Sequence, residues 1–213
     1  MIYWLKILGA IGVGSATLPI LLVCLKKNRF GGENVFITLL CLLYLLSNWS
    51  NFIIYKFFNS SSFIQFNLHV IIEFFLLLFL YVNLLFKENK RKIYYQISGI
   101  ICLLTSIILF VSGLNREITL INILSKIVVL ILALYYFWKM IENSNEINLF
   151  KLDFFWINFS VLFYSITSFV MFLFEHEIVY VSQNYLFYLW FINQFSSIIY
   201  YLTFSFGIWQ IRK

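Results

Sequence analysis

Charged side chains are scarce in this chain. Asp, Glu, Lys and Arg make up 11% of its 213 residues, against about 25% in an ordinary soluble domain. With 62% hydrophobic residues, a soluble fold of this size would have no polar surface to cover its core, and the bilayer is the solvent such a composition fits. Helix breakers are equally few. Pro19 is the single proline and there are eight glycines, so little interrupts the apolar runs. The three cysteines, Cys24, Cys41 and Cys102, all fall inside such runs without CxxC spacing. That excludes a disulfide framework or a cysteine zinc site and leaves free thiols acting as small apolar residues. Two histidines are too few for the zinc centres of seven-helix hydrolases, which need several histidines and an acid. No lysine lies in the last apolar run, which excludes a retinal Schiff base. No cofactor or metal is expected.

What is abundant is apolar sequence in long stretches. Seven runs, at 3–25, 35–55, 64–86, 93–113, 118–138, 154–174 and 186–209, each have the length of about 20 residues that crosses a hydrocarbon core as a helix. Open strands cannot span lipid, and a barrel would need alternating segments of about ten residues rather than continuous runs. The reading is an all-α polytopic helical bundle with seven transmembrane helices, forming a single transmembrane domain over residues 1–213, with short loops and no soluble insertion. The 22% aromatic content suits lipid-facing Phe and interfacial Trp and Tyr.

The basic residues orient the bundle. The side reached after the first, third, fifth and seventh runs holds Lys26, Lys27, Arg29, Lys87, Lys90, Arg91, Lys92, Lys139, Lys151, Arg212 and Lys213. The other side holds Lys6, Lys56 and Arg116. Positive charge collects in the cytoplasm, so the expected topology is N-out and C-in. The same distribution in short tracts argues against nucleic acid as the partner of this +6 chain. Lys6 precedes the first run and Lys26, Lys27 and Arg29 follow it, the reverse of a secretory signal. Residues 1–25 therefore read as a first helix entering from outside, and Pro19 is a plausible kink. Its small residues, with the pairs Ala10/Gly14 and Gly12/Ala16 four apart, suit close packing against a neighbour.

Three ionisable residues fall within spans, where they are costly and usually face the bundle interior: His69, Glu73 and Lys126. His69 and Glu73 are four apart and share a helix face. Glu73 lies roughly 14 Å from the outer end of its helix and Lys126 roughly 12 Å from its own. Asn48 and Asn51 reach a similar depth on the second helix, as do Trp190, Asn193 and Gln194 on the seventh. The inner half reads as apolar, with only tyrosine hydroxyls on the third and fifth helices. These eight residues form the candidate ligand site, an outward-facing polar pocket with Glu73 and Lys126 as a pair. The competing reading is a packing network of interhelical hydrogen bonds. Glu175, His176 and Glu177 read as a solvated outer turn.

The segments Asn67-Leu68-His69-Val70-Ile71-Ile72-Glu73-Phe74, Phe154-Phe155-Trp156-Ile157-Asn158-Phe159 and Leu189-Trp190-Phe191-Ile192-Asn193 resemble small seven-helix bacterial inner-membrane proteins. Their helix arrangement is similar to the membrane-sensor portion of some histidine kinases. The resemblance implies a multi-pass protein of the bacterial inner membrane and a receptor- or sensor-like role. No kinase domain follows Lys213 in this chain, so such a module is expected to signal through a separate cytoplasmic partner at the basic loops, which also suit anionic lipid headgroups. Two other classes stand beside it. One is a transport, pore-forming or membrane-accessory subunit, for example in a bacterial defence system, acting as a homo-oligomer. The other is a lipid-modifying enzyme using His69 and Glu73 as an acid–base pair.

Overall fold

The structure, a computed structural model, describes residues 2–25, 34–58, 63–86, 88–112, 119–143, 148–152, 154–181 and 183–211. These residues form seven α-helices and no strand: α1 (Ile2–Leu25), α2 (Asn34–Phe58), α3 (Phe63–Leu85), α4 (Glu88–Ser112), α5 (Thr119–Asn143), α6 (Phe155–Val181) and α7 (Gln183–Gln210). Each expected run falls on one helix and overruns it by at most one residue, Gly113 and Ile118 lying outside the described residues. The main difference is at the α6–α7 connection. The helix continues through Glu175, His176 and Glu177 to Val181 and resumes at Gln183, so the expected turn is helical backbone. A helix satisfies its own backbone hydrogen bonds, so polar residues beyond an apolar run extend it at little cost.

Successive helices run in opposite directions, as cross-helix contacts fix. Phe36 and Asn48 of α2 meet Phe79 of α3 and Tyr201 of α7 respectively. Asn158 of α6 meets Tyr81 of α3 and Ala133 of α5, while Tyr164, farther along α6, meets Lys126, earlier in α5. Neighbouring pairs α1–α2, α2–α3, α3–α5, α5–α6, α6–α7 and α7–α1 close a ring of six helices. Helix α4 stands outside this ring and packs on α3.

Polarity is inverted relative to a water-soluble bundle. The outward surface carries large apolar side chains, among them Leu21, Leu46, Leu103, Ile131, Val111 and Trp209. The interior holds Glu73, Lys126, Asn67, Asn122, Asn158 and several serines. A soluble protein rarely exposes apolar surface on this scale, whereas lipid is its natural complement. Four helices have windows long and apolar enough to cross a membrane, Ile7–Leu25, Gln65–Leu85, Leu120–Asn143 and Phe155–Phe174, and α2 has a shorter apolar window, Val35–Asn51. The chain is a helical membrane protein on these grounds.

Close packing falls partly where small residues suggest and partly elsewhere. Gly12 and Ala16 are buried, and a Cβ on Gly12 would meet Gln194 Oε1 of α7 at 3.2 Å. Ala10 and Gly14 face outward, and nothing lies within 4 Å of a Cβ on Gly14. The tightest backbone approach is at Gly207, where a Cβ would lie 2.7 Å from Ile157 N. Pro19 sits within a helix that continues to Leu25.

Candidate functional site

Lys126 of α5 and Glu73 of α3 form an ion pair, Nζ to Oε2 at 2.8 Å, with side-chain exposures of 5% and 2%. The second carboxylate oxygen, Oε1, accepts from the Tyr44 hydroxyl of α2 at 3.3 Å. Tyr44 in turn shares a hydroxyl–hydroxyl hydrogen bond with Tyr200 of α7. Tyr200 stacks on Tyr164 of α6, with ring centroids 4.7 Å apart, and the Tyr164 ring lies under the Lys126 ammonium at 4.7 Å. The path Lys126–Glu73–Tyr44–Tyr200–Tyr164 therefore returns to its start, and each of its five members comes from a different helix of the ring.

Each link has a separate physical basis. The ion pair and the Tyr44 bond satisfy both carboxylate oxygens, which a buried anion requires. The aromatic face attracts the ammonium where solvent does not compete. An ion pair this deep returns its desolvation cost only with such additional partners. Asn48, one turn from Tyr44 on α2, donates to the Tyr201 hydroxyl and the Tyr44 carbonyl, each at 2.8 Å. His69 lies beside the circuit, its ring centroid 6.1 Å from that of Tyr44.

The candidate residues thus divide. Glu73, Lys126, Asn48 and His69 come together. Asn51 faces outward, because it is three residues past Asn48 and about 60° around the helix from it. Asn193 is half-buried, and its carbonyl accepts from Ser197. Gln194 lies against Gly12 at the α1–α7 contact, apart from the ion pair. The Trp190 side chain lies outside the described residues. Tyr44 and Tyr200, central to the circuit, are absent from the expected set. Their signal in the sequence is position: tyrosines in mid-span rather than at the interface where aromatic belts form.

A second polar layer occupies the half of the bundle that the sequence presents as apolar. Tyr81 of α3 donates to Asn158 Oδ1 of α6 at 2.6 Å, and Asn158 Nδ2 donates to the Ala133 carbonyl of α5 at 3.1 Å. Polar contacts are therefore not confined to one half. The omission has a simple cause, since Asn158 lies at the start of its own span while its partners lie deep along α3 and α5. Phe74, Leu77, Leu78 and Val129, all buried, separate the two layers.

At the C-terminal end of α3, basic side chains bond backbone carbonyls. Arg91 donates to the carbonyls of Phe86 and Asn83 at 2.9 and 3.1 Å, and Lys139 donates to that of Leu85. They satisfy carbonyls left open at a helix end and oppose its dipole. Lys26, Lys27, Arg29, Lys87, Arg116, Arg212 and Lys213 lie outside the described residues. Among the described residues, no three His, Cys, Asp or Glu side chains converge to hold a metal ion. No protein-family model matches this chain, and no curated protein or solved structure matches it.

Proposed function

We propose that this chain is a seven-span protein of the cell membrane, N-out and C-in, acting as a receptor- or sensor-like module with a cytoplasmic partner. The observation that carries the reading is the Lys126–Glu73–Tyr44–Tyr200–Tyr164 circuit, which joins five helices through one buried ion pair. A ligand that competes for Glu73 or Lys126 would change the contacts of five helices together, the differential interaction a two-state switch needs. Helix α3 supplies the link to the other side. It carries Glu73 in mid-span and, at its end, the carbonyls held by Arg91 and Lys139. A shift of α3 would alter that basic turn, where Lys90 and Lys92 are exposed and suited to an acidic partner surface or anionic headgroups.

The test is mass spectrometry of small molecules that co-purify in mild detergent with wild type, Glu73→Gln and Lys126→Met. A molecule held by wild type and lost from both variants supports the reading. If wild type retains nothing specific and both variants are only less stable, the circuit is packing and the receptor reading fails.

A further inference from the structure

Among the described residues, the buried atoms His69 Nδ1 of α3 and Asn122 Nδ2 of α5 have no hydrogen-bond partner, and Ser168 of α6 is hydrogen-bonded to the Tyr164 side chain of its own helix. Their positions are related. His69 precedes Glu73 by four residues, Asn122 precedes Lys126 by four, and Ser168 follows Tyr164 by four on a helix running the opposite way. All three therefore lie one turn, about 6 Å, to the same side of the ion pair. Asn122 and Ser168 are 2% and 3% exposed. One turn farther out, Phe66 and Phe172 meet at 6.2 Å between centroids and lie over the layer. The layer has a charged floor and an aromatic cover.

Unpaired polar groups at this burial are costly, and native interiors give them a partner. The donor and acceptor inventory describes that partner. The Asn122 amide nitrogen donates, and His69 Nδ1 accepts when the ring proton is on Nε2. The floor is already neutral, because Glu73 and Lys126 cancel. An added ion would leave an uncompensated charge in the bundle.

We propose that this layer is a binding site for a small neutral molecule presenting a hydroxyl or a primary amide, which donates to His69 and accepts from Asn122. The proposal rests on the receptor reading only in taking the bundle interior as the place where ligand binds. The shared chemistry could come from a free solute or from the polar end of a lipid.

Thermal unfolding of the full chain in detergent would be followed while acetamide is titrated as the soluble probe and dodecan-1-ol as the lipidic one. The expected result is a saturable rise in Tm with at least one probe, which also identifies the source. Asn122→Leu should weaken that response at least tenfold while leaving the ligand-free protein as stable as wild type or more so, since it removes an unpartnered amide. The proposal is overturned if neither probe gives a saturable rise with wild type, or if the rise survives Asn122→Leu undiminished. A co-purifying molecule lost from Glu73→Gln and Lys126→Met, together with no response to these probes, would sink this site and leave the receptor reading standing.

Discussion

Glu73 and Lys126, 53 residues apart in sequence, meet at 2.8 Å in the centre of the helical ring. Removing either charge strands the other in a low-dielectric interior. Glu73→Gln or Lys126→Met alone should therefore destabilise by about 3–5 kcal/mol. The double substitution should cost clearly less than the sum of the two. A double-mutant cycle by denaturant titration in detergent measures this, and additive effects would mean that the pair is not coupled.

Tyr44 links that pair to α7 through Tyr200. Tyr44→Phe keeps the ring and removes the hydroxyl. The expected loss is about 0.5–1.5 kcal/mol, typical of interhelical hydrogen bonds in membranes. Tyr200→Phe should be non-additive with it. Wild-type stability of Tyr44→Phe, Tyr200→Phe and the double variant in the same titration would show that the hydroxyl link carries no energy.

Gly207 and Gly14 provide a matched contrast. A Cβ on Gly207 would lie 2.6 Å from Ile157 Cγ1 and 2.7 Å from Ile157 N, so α6 and α7 would have to part. Gly207→Ala should cost about 1–3 kcal/mol, the usual range for overpacking. Gly14→Ala, with nothing within 4 Å, should be neutral or slightly stabilising, since alanine is the better helix former. Comparing their Tm values in one detergent decides it.

Asn158 joins α3, α5 and α6 by donating to Ala133 and accepting from Tyr81. Asn158→Leu leaves the buried Tyr81 hydroxyl without its acceptor, and a loss of about 1–3 kcal/mol is expected. Adding Tyr81→Phe should recover part of it. No recovery in unfolding titrations would mean that the asparagine acts through shape.

The topology is open to cysteine labelling in a background where Cys24, Cys41 and Cys102 are replaced. An impermeant maleimide should label Ser60→Cys and Asn115→Cys in intact cells. Asn145→Cys should react only after permeabilisation. The reverse pattern would invert the orientation derived from the basic residues.

The number of helices, their approximate limits and the suitability of the chain for lipid follow from composition and run length, because a helix in hydrocarbon is specified locally by its own apolar sequence and hydrogen bonds. The sequence also singles out Glu73 and Lys126, since a charge in a span is conspicuous wherever it points. It does not show which polar residues meet. Asn48 and Asn51 look alike in sequence, but one donates to Tyr201 and the other faces outward. Tyr44 and Tyr200 look like ordinary aromatic residues until their hydroxyls are found in contact. The exclusion of α4 from the ring and the closure of α1 on α7 are equally invisible along the chain. Helix rotation and neighbour choice are set by side-chain packing between segments far apart in sequence, and only the assembled tertiary structure decides them.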